Sequence, residues 1–171
     1  MSTDIEALVK RAVDELAARE RAGEIGGRDQ RPGFDRLTLS DAKLLAERVE
    51  REARRMGVRA VVAVADEGGN LKLCECMDDA YLASRDIAIH KAYTSVALKM
   101  STAKLATLAA PGGSLYGIQH TCGGRIVIFG GGDPLVVRGR IVGGLGVSGG
   151  SAEEDTALSA YGKRLFEEQF G

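Results

Sequence analysis

Apolar positions recur at spacings of three and four in several stretches of the chain and cluster into short runs in others. Between residues 3 and 21, Ile5, Leu8, Val9, Ala12, Val13 and Leu16 make one stripe, and Asp4, Glu6, Lys10, Arg11, Asp14 and Glu15 fill much of the rest. That spacing predicts an amphipathic helix. The next stretch, GEIGGRDQRPG at residues 23–33, carries glycines and a proline with Ile25 as its one apolar side chain. Such a composition predicts a linker. The chain thus divides into a tethered helix over 1–21, a linker over 22–36 and a main domain over 37–171.

In the main domain, Thr38 and Asp41 match a capping box, followed by a helix to about Met56 that Gly57 ends. Residues 58–65 read as a buried strand and residues 71–77 as its hairpin partner across Asp66-Glu67-Gly68-Gly69-Asn70. An alanine-rich helix over 81–99 and a shorter one from Thr102 to about Ala109 precede Pro111-Gly112-Gly113. Three more strands follow over 125–129, 135–137 and 140–147. A second capping box, Ser151 with Glu154, opens a last helix that runs to about Phe170. Hairpin connections imply antiparallel pairing. The expected fold class is α+β: a profilin-like, five-stranded antiparallel sheet with helices on both faces.

Composition narrows the partners. Hydrophobic residues are 44% and charged residues 27%, enough for a core without a disulfide or metal staple. Net charge is -1 with no basic tract, which argues against nucleic acid. No apolar run reaches the roughly 18–20 residues of a membrane span. The first residues match neither a secretory signal nor a transit peptide, so the cytoplasm is the default compartment. Three cysteines suit a reducing environment. More than half of the 23 glycines lie between Gly112 and Gly150.

Six blocks stand in order along the main domain: VADEGGNL from Val64, MDDA from Met77, AIHKAYTS from Ala88, PGGSLYG from Pro111, GGRIVIFGGGDPL from Gly123 and VGGLGVSGG from Val142. Together they resemble the GlcG/HbpS/PduO C-terminal family of haem-degrading or haem-binding domains, and GGRIVIFGGG looks closest to the PduO C-terminal branch. Cys122 departs from the Asn expected before GGR. The resemblance implies a homo-oligomer, often an octamer, and haem or cobalamin as the cofactor. The ligand-binding residues it implies are Lys91, Thr94, Tyr116, Arg125, Gly130, Gly131 and Gly132. The helix over 1–21 resembles the encapsulation peptides of bacterial microcompartment cargo. Its stripe would then dock on shell proteins, placing the chain in the compartment lumen. An extra helix packed on its own domain or on a sister subunit is the alternative.

Residue chemistry adds to this. His90, Lys91 and Thr94 lie on or near one helical face, beside Ile87 and Leu98. An imidazole, an ammonium and a hydroxyl next to apolar surface suit a flat ligand bearing propionates, with His90 as candidate iron ligand. The alternative makes His90 a surface residue and pairs Lys91 with a carboxylate. The glycines at 130–132 and 143–146 either admit a ligand or anion close to the backbone or serve turns and subunit packing. Neither a dinucleotide nor a P-loop pattern is present. Cys74 and Cys76 point the same way from one strand, and His120 with Cys122 makes a second pair. None of these spacings matches structural zinc, and ordinary thiols are the alternative. Asp66, Asp78 and Asp79 stand at hairpin ends, for acid–base chemistry or simply for turns. Three functions follow: an oligomeric binder of a tetrapyrrole, a small-metabolite enzyme using Asp66, Lys91, Thr94 or Tyr116, or an assembly protein without a ligand.

Overall fold

The computed structural model describes residues 36–170. The helix expected over 1–21 and most of the linker lie outside the described residues. Helix α1 spans Leu39–Met56. The capping box is formed as expected: Thr38 Oγ1 accepts the Asp41 N–H at 3.2 Å, and the Asp41 carboxylate accepts the Thr38 N–H at 2.8 Å. Gly57 ends the helix with φ 77°, a left-handed conformation that costs glycine little.

Four strands form one sheet: β1 (Val61–Asp66), β2 (Leu71–Cys76), β3 (Gly132–Val137) and β4 (Arg140–Ser148). Their order is β2-β1-β4-β3, and all neighbours are antiparallel. The β1–β2 turn is closed by Asp66, whose carboxylate accepts the N–H groups of Gly68 and Asn70, both at 2.9 Å. At the β3 edge, Pro134 offers no N–H to a foreign strand.

The two faces of the sheet differ in bulk. Directly paired residues share a face, so Val62 and Val147, and Val64 and Leu145, point one way. They bury against Leu45 and Val49 of α1 and against Leu158 and Phe166 of α4 (Ala152–Phe170). The other face pairs Val61 with Ser148, Ala63 with Gly146 and Ala65 with Gly144. These side chains are small or absent, and α2 (Ser84–Ala97) settles directly on the backbone through Ala88, Ala92 and Ser95. A Cβ on Gly146 would stand 2.0 Å from the Ala88 carbonyl oxygen, and one on Gly144 would stand 2.4 Å from that of Ala92. Helix α3 (Thr102–Ala109), capped by Ser101, packs on α2 and β3.

The expected fifth strand is a correction. Residues 125–129 carry a strand-like apolar run, but four strands make the sheet among the described residues. The run docks on a helix instead. The Val127 N–H donates to Thr94 Oγ1 at 3.0 Å, and that hydroxyl donates to the Arg125 carbonyl at 3.2 Å. A helix side chain therefore takes the backbone groups that a neighbouring strand would have taken. No described helix is long and apolar enough to cross a membrane.

Candidate functional site

Helix α2 carries the residues singled out in the sequence, and its pitch sorts them. Successive residues turn by about 100°. Ser84, Ala88, Lys91, Ala92, Thr94 and Ser95 face the sheet and are buried. Asp86, His90, Tyr93 and Ala97 form the opposite stripe, exposed or half-buried. His90 therefore does not share a surface with Lys91.

Lys91 is fully buried. Its Nζ donates to Asp155 Oδ2 at 2.7 Å and to the Val147 carbonyl at 2.8 Å. Asp155 in turn accepts the Gly150 N–H at 3.0 Å from the first turn of α4. Phe129 lies over the ammonium, with its ring centroid 4.9 Å from Nζ. Burial pushes the Lys91 pKa below its ordinary value, against the hydrogen bond and charge of Asp155 that raise it.

Gly130, Gly131 and Gly132 wrap this ion pair. A Cβ on Gly131 would stand 2.6 Å from Lys91 Nζ, and one on Gly132 would stand 2.7 Å from the Lys91 carbonyl. A Cβ on Gly130 would run into Thr156. The space these glycines leave is filled by the chain itself. Thr94, fully buried, is the clamp for residues 125–127 described above.

The outward stripe is different. Arg125 is exposed, and its guanidinium carbon lies 4.1 Å from the Tyr93 ring centroid. It donates to Tyr93 Oη at 3.2 Å and to the Cys122 carbonyl, also at 3.2 Å. No carboxylate pairs with it among the described residues, so a stacked, oriented cation remains available to an anion. The β1–β2 turn backs the ring: a Cβ on Gly69 would stand 3.0 Å from Tyr93. His90 precedes Tyr93 by three positions on the same stripe, and its imidazole has no hydrogen bond among the described residues. Tyr93 is the candidate residue that sequence reasoning misses. It sits inside the AIHKAYTS block, and an aromatic three residues after a histidine on an alanine-rich helix is the signal that points to it.

Tyr116 is 67% exposed in the loop that follows α3, which is tied back by the Leu115 N–H to the Leu108 carbonyl at 2.9 Å. Short 3₁₀ turns at Ile118–His120 and Cys122–Gly124 lead to Arg125. Cys122 has φ 52°, a left-handed value that Asn adopts more readily, which accounts for the Asn expected there. Gln119 Oε1 is buried without a hydrogen-bond partner among the described residues. Cys74, Cys76 and Cys122 are free thiols, and no group of three or more His, Cys, Asp or Glu able to hold a metal occurs among the described residues.

The candidate acid–base groups stand at opposite ends of the β1–β2 hairpin. Burial would raise the Asp66 pKa, but hydrogen bonds from Asn70 and Gly68 outweigh it and hold the carboxyl below its usual range. That carboxylate is committed to its turn. Asp78 and Asp79 are exposed beside β2. A cleft of about 280 Å³ is lined by Glu50, Arg54, Arg59, Cys76, Met77 and Asp78. None of the ligand residues inferred from the sequence borders it.

Known proteins resemble this chain in sequence and fold. The chain is 44% identical over 132 residues to an uncharacterized 15.0 kDa protein from the dhaT-dhaS intergenic region of Citrobacter freundii, covering 77% of this chain and 93% of that protein. It is 39% identical over 123 residues to the corrinoid adenosyltransferase PduO of Salmonella typhimurium, covering 72% of this chain and 37% of PduO. The chain thus spans well under half of that relative. A solved structure described as a PduOC:haem complex superposes with a TM-score of 0.72 at 36% identity, covering 75% of this chain and 94% of that one. The profile described as "Haem degrading protein HbpS-like" matches residues 37–163, and with the four-stranded layer and the ordered sequence blocks already described, the chain belongs to the HbpS-like family.

Proposed function

We propose that this chain is a ligand-binding domain whose ligand is a flat, anionic tetrapyrrole, haem in the first instance, held against the outward stripe of α2. The observation that carries the reading is Arg125, exposed and stacked on Tyr93, without a carboxylate partner among the described residues. A guanidinium in that state suits a propionate. His90 offers a nitrogen donor on the same stripe, and the exposed ring of Tyr116 offers an apolar face. This donor set fits haem. Bound haem would supply a redox-active iron, and His90 is the donor we assign to it. Lys91 and Thr94 act indirectly: one anchors α2 to α4, and the other holds residues 125–127 and hence Arg125 in place.

Similarity to the PduOC:haem complex supports haem, and the PduO relatives support a corrinoid as the second tetrapyrrole to test. The stripe is a surface rather than an enclosed pocket, whereas small-molecule sites are usually concave and bury most of their ligand. A second copy would supply the missing wall. We therefore read the chain as a homo-oligomer with a profilin-like protomer, and an octamer is the state expected. The helix over 1–21 would address it to a microcompartment shell. An acid–base enzyme finds less support, because Asp66 is committed to its turn, Lys91 to Asp155 and Thr94 to residues 125–127, while Tyr116 stands exposed.

Haemin titration followed by absorbance tests the proposal. The wild-type protein should give a saturable Soret band. Arg125→Ala and His90→Ala should each weaken binding by about 10–100-fold, the worth of one charge-assisted bond or donor. A Soret band that stays that of free haemin, together with no heat on cobalamin addition, would remove the tetrapyrrole reading.

A further inference from the structure

We propose that Cys74 and Cys76 form a two-thiolate site on the open edge of the sheet that takes one soft cation of the Cu(I) class. Strand β2 is an edge strand, and Cys74 and Cys76 pair in register with Ala63 and Val61 of β1. Both sulfurs therefore project from the same face, on the α2 side.

Spacing favours an ion over a disulfide. Residues two apart on a strand are separated by about 6.4–6.8 Å, and their side chains stand side by side. A disulfide needs Cβ atoms within roughly 3.5–4.5 Å, so closing one here would require the strand to buckle. An ion between the sulfurs adds two metal–sulfur bonds of roughly 2.3 Å each and spans a wider gap.

Cys74 packs against the buried cluster of Val61, Ala63, Ala65, Ala88 and Ala92, which backs it with apolar surface, while exposed Cys76 provides entry.

The donor number points to the metal. No third His, Cys, Asp or Glu completes a set among the described residues. The neighbouring Met77 thioether is turned inward and accepts the Ala60 N–H at 3.4 Å. Two thiolates suit a two-coordinate soft ion and not tetrahedral zinc.

The test is an anaerobic Cu(I) titration of the full chain against a chromophoric Cu(I) chelator, with intact-mass analysis. One Cu(I) per chain should bind to wild type and to Cys122→Ser alike. Cys76→Ser, at an exposed position that leaves the fold intact, should bind more weakly by roughly 100-fold or more, since loss of a direct ligand exceeds the cost of losing an outer partner. Cys74→Ser should match it, with circular dichroism confirming the fold. Unchanged affinity in Cys76→Ser would overturn the proposal. So would an oxidant that readily closes a Cys74–Cys76 disulfide in the folded protein.

Discussion

Gly146→Ala is expected to lower stability by about 3–5 kcal/mol, a drop in Tm of roughly 10–20 °C. The added methyl group would stand 2.0 Å from the Ala88 carbonyl oxygen and 2.6 Å from the Ala92 nitrogen. Both are backbone atoms, so no rotamer change relieves the clash. Helix α2 has to lift from β4, and Ala63, Ala65 and Gly144 lose their cover with it. Gly146→Val should prevent cooperative folding. Gly139→Asn is the matched control. Gly139 has φ 75°, an added Cβ there would meet nothing within 4 Å, and Asn tolerates that conformation. Thermal unfolding of the three variants checks the expectation. A Gly146→Ala protein melting within about 2 °C of wild type would mean that α2 is not seated on β4.

The second large effect lies at the other contact of α2. Asp155→Ala should cost about 3–5 kcal/mol, because it strands a buried ammonium. Lys91→Met combined with Asp155→Leu should recover most of that loss, since an apolar pair of similar volume removes the unpaired charge. It should not recover all of it, because the Gly150 N–H then lacks the acceptor it finds at 3.0 Å. The pH dependence has a definite sign. Lys91 is depressed below its ordinary pKa of 10.5, so the unfolded chain binds its proton more tightly than the folded one. Its contribution to stability rises as pH climbs through the window between the folded value and the ordinary one. Lys91→Met should lack that rise. Chemical denaturation of the four proteins at neutral and alkaline pH measures both effects. A double variant no better than Asp155→Ala would contradict the ion-pair account.

Legibility in the sequence follows the range of the interaction. Both capping boxes, the Gly57 stop and the Asp66 turn depend on residues within four positions of one another, and each is readable. The strand-like run at 125–129 is not, because its destination depends on Thr94, about thirty positions earlier. A carboxylate partner for Lys91 is among the alternatives the sequence offers, but its identity is hidden, because Asp155 lies 64 residues away. The glycines of β4 are visible but open to several readings. Alternation of Gly144, Gly146 and Ser148 opposite Ala65, Ala63 and Val61 makes one small-residue face, and only pairing reveals that a helix occupies it. In the candidate site, Arg125 and His90 are in view, whereas the stacking that makes Arg125 useful needs Tyr93 and the fold.

The central claim is that ligand sits on the outward stripe of α2. A crystal structure of the haemin-loaded protein tests it most directly. The account predicts electron density for the macrocycle beside Tyr93, with His90 on the iron and a propionate at Arg125. Haemin seated in the cleft lined by Arg54, Arg59 and Cys76, or anywhere else away from Tyr93 and Arg125, would contradict it.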